Sequence, residues 1–151
     1  MGNSITAVNF LTADVTFIPK KKKILRHWVH QIAKKHQCHV EQIDFIYCSD
    51  SFLLTLNQEY LNHNTYTDII TFDYGNSKKN TLKSISGEIY ISIERVKENA
   101  KIFNTSYTNE LHRVMIHGVL HLCGFKDKKE KEKEHMRMQE DAAISILNHL
   151  L

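Results

Sequence analysis

The sequence predicts an α/β fold in which one small mixed β-sheet of about four strands is packed with about five helices. Three observations lead there. Short runs rich in β-forming residues alternate with helical patterns over the first two-thirds of the chain. The last third carries its apolar residues almost entirely at helical spacing. No internal repeat, linker or composition shift interrupts the 151 residues, so 1–151 reads as a single domain.

The elements follow in order. Ile5 to Leu11 alternates loosely, as a half-buried strand does. Pro19, the only proline, stands just ahead of a helical pattern, where its missing N–H costs least. Leu25, Trp28, Val29 and Ile32 then recur at steps of three and four, which predicts an amphipathic helix over 20–36. Ile43 to Cys48 is a second strand. Ser49 or Asp50 can cap the next helix, whose one side carries Leu53, Leu54, Asn57, Tyr60 and Leu61. Asp68 to Tyr74 reads as a strand ending at Gly75 and a polar loop, Asn76 to Asn80. Gly87 to Ser92 reads as its hairpin partner. Ile93, Val96, Ala100 and Phe103 mark a helix. Residues 107–123 form another, stopped by Gly124, and residues 129–149 a last one striped by Met136, Ala143, Leu147 and Leu150. The Lys/Glu run from Lys126 to Glu134 belongs to a solvated face.

A hydrophobic share of 42% and a charged share of 25% fit an ordinary globular protein and exclude a disordered chain. No apolar run is long enough to cross a bilayer, and the N-terminus lacks the pattern of a secretory signal, so the expected location is the cytoplasm. Cys38, Cys48 and Cys123 are odd in number and lack framework spacing, which argues against a disulfide scaffold. Cys123 turns away from the direction of its neighbour His121 on a helix and reads as a small buried apolar residue. The net charge of +3 is mild. Lys20 to Lys23, with Lys34 and Lys35, form a basic cluster that reads as a solvated helix face or as a phosphate contact, with Lys20, Lys21 and Lys22 as substrate-binding candidates.

The stretch that carries chemistry runs from His117 to Asp127. Residues four apart share a helix face about 6 Å apart along the axis, so His117 and His121 can aim at one ion. Their helix is apolar on most sides, which puts it in the core, where an imidazole needs a partner. Two such histidines alone fit core residues satisfied by backbone groups. Gly124 and Asp127 turn the reading toward a metal. A glycine past the last turn readily takes the left-handed conformation that lets the chain reverse and bring Asp127 back over the helix end. Three protein ligands leave a fourth position open, as in catalytic zinc sites, and nitrogen and oxygen donors also suit other divalent metals. Zinc peptidases of the His-Glu-x-x-His type place a general base directly after the first histidine. Here that position is Gly118. Glu110 lies near the same face but two turns earlier, roughly 10 Å along the axis.

The stretch His117-Gly-Val-Leu-His121-Leu-Cys-Gly124-Phe-Lys-Asp127 resembles the signature of the YbeY-type metal-dependent endoribonucleases of bacteria. Asn57 to Tyr60, Thr67 to Phe72 and Gly87 to Ile91 resemble further blocks of that family in order and spacing. The resemblance implies an enzyme that cleaves single-stranded RNA in ribosomal RNA processing, including maturation of the 16S 3′ end, and in ribosome quality control. It implies one Zn2+ per chain held by His117, His121 and Asp127, which would polarise a phosphoryl oxygen or acidify its bound water. RNA and the ribosome or its small subunit would be the partners, with no membrane role. Asn57 and Asp68 become candidates for catalysis, and equally for caps or buried backbone contacts. Two positions depart from the family. Asp127 stands where a third histidine is usual, and Leu61 stands where an arginine would suit a phosphate. His63, Lys126, Lys128 and the basic helix at 20–35 are the candidates to replace that arginine. Two other readings remain open: a metal-dependent hydrolase of another class, such as a metallopeptidase, and a non-catalytic ribosome assembly factor with a structural metal. A fourth protein ligand would mark the second. His112 projects away from the His117 face, while His135 is a possible fourth ligand.

Overall fold

In a computed structural model the chain is described over residues 7–75 and 83–151. The expected strand start at Ile5 and the polar loop Asn76 to Asn80 lie outside these residues. The elements run β1 (Val8–Thr12), α1 (Lys22–Lys35), β2 (Cys38–Cys48), α2 (Asp50–Leu61), β3 (Ile69–Asp73), β4 (Lys83–Ser92), α3 (Ile93–Ile102), α4 (Tyr107–Leu122) and α5 (Glu130–Leu150). The four strands form a mixed sheet in the order β1-β2-β4-β3. β1 and β4 run parallel to β2, while β3 pairs antiparallel to β4 with Ile70 opposite Tyr90. The mixed α/β fold is the one expected, and β3 and β4 are the predicted hairpin partners.

β2 is longer than its sequence pattern predicts. Its first half, Cys38 to Gln42, alternates buried Cys38 and Val40 with exposed His39, Glu41 and Gln42. The polar residues masked the strand, and pairing with β4 through Val40 opposite Ile85 extends it. A register shift between Val40 and Gln42 separates this half from the apolar run.

The two faces of the sheet carry cores of unequal size. On one face Ile43, Phe45, Tyr47, Ile85, Ile89 and Ile91 join α1, α4 and α5 in a large core. Trp28 is fully buried there, and its indole N–H donates to the Ala143 carbonyl at 2.8 Å. On the other face α2 covers β3 and β4 with a small cluster of Cys48, Leu53 and Ile70. α4 packs on β3 and β4 and lies between α3 and α5. Its buried residues include Leu111, Val114, Met115, Ile116, Val119, Leu120 and Leu122, as expected of a helix running through a core. Among the described residues no helix is long and apolar enough to cross a membrane.

Candidate metal centre

Local rules place the three candidate ligands. Ser106 caps α4 by accepting the Asn109 backbone N–H at 3.0 Å. The helix then runs without a break to its last turn, with both histidines on one side. Its end is a Schellman turn: Gly124 N–H donates to the His121 carbonyl at 2.9 Å and Phe125 N–H to the Leu120 carbonyl at 3.0 Å. This requires a left-handed residue, and Gly124 has φ 108°. The reversal brings back Phe125 and then Asp127.

Each histidine is oriented from behind. The Phe125 carbonyl accepts from Nδ1 of His121 at 2.9 Å. Glu140, on α5, places Oε2 2.5 Å from Nδ1 of His117. With Nδ1 engaged as donor, each ring offers the Nε2 lone pair. Both Nε2 atoms face the same carboxylate oxygen, Asp127 Oδ2, at 3.2 Å from His117 and 3.3 Å from His121. The three donor atoms lie within 4.8 Å of one another. Ligands about 2.0–2.1 Å from a tetrahedral zinc stand about 3.3–3.4 Å apart, so the donor set fits such an ion.

Charge at the site is unevenly distributed. Burial disfavours a charged His117, but Glu140, Asp127 and Asp68 together outweigh it and push the imidazole above its ordinary value. Burial raises the Asp68 carboxyl, and His117 pulls it partly back. Burial also raises Glu110, and the charge of Asp68 adds to this. Glu140 is buried and also accepts from Arg113 at 3.0 Å, while Arg113 reaches Asp141 at 2.7 Å.

The three candidate ligands open into a cleft of about 1130 Å³. Asn57, Asp68, Glu110, His117, His121, Asp127 and Glu140 line it. Asn57 also donates to the Thr65 carbonyl at 2.8 Å, tying α2 to the loop before β3. Asp68 accepts from Asn99 at 3.4 Å. Of the expected phosphate contacts, His63 and Lys128 line the cleft, and so does Leu61. Lys20, Lys21, Lys22 and Lys126 are exposed and are not part of its lining. Among the described residues no further histidine, cysteine or carboxylate joins the ligand group. His112 packs edge-on against Trp28 and His135 against the Phe125 ring. Cys123 is half-buried rather than buried, because it caps α4 where the helix meets solvent.

Glu140, Arg113, Lys133 and Arg137 are cleft residues that sequence patterns alone did not single out. The signal for Glu140 was present. It stands four residues after Met136 and three before Ala143, so a carboxylate occupies the buried stripe of α5.

The YbeY family model, described as "Endoribonuclease YbeY", matches residues 9–148. The chain belongs to the YbeY family. It is similar to the endoribonuclease YbeY of Cytophaga hutchinsonii, 44% identical over 91% of this chain and 93% of that protein. It is 45% identical to the endoribonuclease YbeY of Christiangramia forsetii over 93% of this chain and 94% of that one. Among solved structures, TM1509 from Thermotoga maritima superposes with a TM-score of 0.63 at 27% identity, over 93% of this chain and 88% of that one. YbeY membership therefore rests on nearly the full length of the chain, including both histidines and the turn that follows them.

Proposed function

We propose that this YbeY protein is a zinc-dependent endoribonuclease that cuts single-stranded RNA in the cytoplasm. It acts in ribosomal RNA processing, including 16S 3′-end maturation, and in ribosome quality control, with the ribosome or its small subunit as partner. The observation that carries the reading is the pair of histidines whose Nδ1 atoms are both engaged and whose Nε2 atoms converge on Asp127.

His117, His121 and Asp127 would hold the ion, one per chain. When bound, a divalent ion supplies Lewis acidity toward a phosphoryl oxygen and toward water. The chain's own groups do the rest. Glu140 and the Phe125 carbonyl hold the two imidazoles in one tautomer. Asp68 faces the cleft with its carboxyl raised by burial, which suits it to exchange a proton during phosphodiester cleavage. Asn57 keeps the loop ahead of Asp68 in place through Thr65. Gly118 leaves no base where a peptidase needs one.

Elemental analysis of purified protein tests the ion: about one zinc per chain is expected, and its loss in His117→Ala. Cleavage of a single-stranded RNA tests the activity, with casein as the peptidase control. RNA cutting that persists unchanged in His121→Ala would sink the metal-dependent reading.

A further inference from the structure

Exposed aromatic side chains in the lining of a cleft that also holds many charged groups are an unusual use of surface. Tyr66 is 57% exposed and Phe103 55%, and both line the cleft that holds the candidate ligands. Leu61, 44% exposed, lines it as well. Tyr66 is held in place. The Arg95 guanidinium lies 5.3 Å from its ring centroid, and Arg95 is itself anchored to Asp50 at 2.6 Å. Asp50 in turn accepts from the fully buried Ser92 at 2.8 Å. A ring fixed this way presents a flat apolar surface at little cost in side-chain entropy.

The remaining cleft cations belong to α5 and the turn before it. Lys128, Lys133 and Arg137 line the cleft, and among the described residues none of their side chains is held in an ion pair. Arg113 differs, being committed to Glu140 and Asp141. Lys133 and Arg137 stand one helical turn apart, a spacing that puts two cations on one face. Phe103, just past the end of α3, and Lys133 and Arg137, in the first half of α5, therefore line the cleft from different helices.

We infer that Tyr66 and Phe103 form a base-stacking wall for single-stranded RNA, with Lys128, Lys133 and Arg137 receiving its phosphates opposite. The inference rests on the nuclease reading and deepens it by assigning the grip. Stacking needs a free base face, so a duplex would be refused and a single strand of any sequence accepted. The wall also accounts for Leu61. With phosphates carried by α5, an apolar side chain at that position extends the stacking surface.

The test uses the metal-loaded protein and an unstructured oligouridylate. Tyr66→Ala and Phe103→Ala should each raise KM about five- to a hundredfold, well beyond any fall in kcat. Tyr66→Phe, which keeps the ring, should stay near the wild-type KM. Trp28 is the chain's only tryptophan and is fully buried, so Tyr66→Trp places a single accessible indole in the cleft. Its fluorescence should be quenched by a cleavage-resistant oligouridylate and far less by an abasic phosphodiester of equal length. Unchanged KM in both alanine variants, or equal quenching by the abasic strand, would overturn the stacking wall while leaving the nuclease intact. A wild-type protein that neither binds nor cuts RNA would overturn the nuclease reading and this one with it.

Discussion

Glu140 Oε2 stands 2.5 Å from Nδ1 of His117, across the gap between α5 and α4. The contact joins two consecutive helices through residues 23 apart in sequence, and it fixes which nitrogen of the imidazole is free. Glu140 is buried, so its charge depends on His117 and Arg113 for compensation.

Replacing Glu140 by glutamine removes the charge and keeps the shape. We expect zinc affinity to fall about 10- to 100-fold, as for outer partners of metal-bound histidines generally. Competition against a chromogenic chelator measures it. An affinity equal to wild type would mean that helix packing alone orients the ring.

Asp127 is the candidate third ligand and the only carboxylate in the donor group. Asp127→Ala should reduce bound zinc well below one per chain, because two histidines alone leave the ion largely hydrated. Asp127→His should keep it near one, since imidazole nitrogen is an equally good donor. Metal content after dialysis distinguishes the two, and equal retention in both variants would exclude Asp127 from the ligand set.

Glu110 should reveal itself through stability. Its pKa is raised by burial and by Asp68, so the folded state holds its proton to higher pH than the unfolded chain does. The folded protein therefore loses stability as pH rises from the ordinary glutamate range through the raised value. Glu110→Gln should melt higher than wild type at pH 7–8, with the advantage shrinking as pH falls toward about 4.5. A wild-type melting advantage at neutral pH would contradict this.

Gly118 is predicted to resist even a methyl group. A Cβ there would sit 2.9 Å from two side-chain atoms of Ile89 and 3.2 Å from Ile69. Alanine is the better helix former by about 1 kcal/mol, yet overpacking costs about 1–3 kcal/mol. We expect Gly118→Ala to be net destabilising and Ile89→Val in the same chain to recover part of the loss. Urea unfolding of the single and double variants reads both terms.

Much of this was legible in the sequence, and the rest was hidden for identifiable reasons. α4 and its Gly124 stop were readable because spacing and glycine act within a few residues. The same holds for the Ser49 cap, whose side chain accepts from the Phe52 N–H at 3.1 Å. The order β1-β2-β4-β3 was not, because the parallel pairs of β2 join residues separated by whole helices. Glu140 was hidden by its surroundings. It follows a Lys/Glu-rich stretch that is mostly exposed, and only its place on the Met136–Ala143 stripe marks it as buried. Tyr66 lies in a loop, where no periodicity exists to say which way a ring faces.

The close fit of Gly118 against the sheet bears on how such sites diverge. A glutamate at that position would drive its carboxylate into Ile89 and Ile69 rather than toward the three donors. A lineage starting here could not acquire peptidase chemistry by one codon change. Room would first have to be made on the sheet, by trimming Ile89 and Ile69 or by shifting the helix, at a cost in core packing. The glycine thus acts as an evolutionary latch, holding the scaffold to chemistries whose proton-handling groups come from outside this helix.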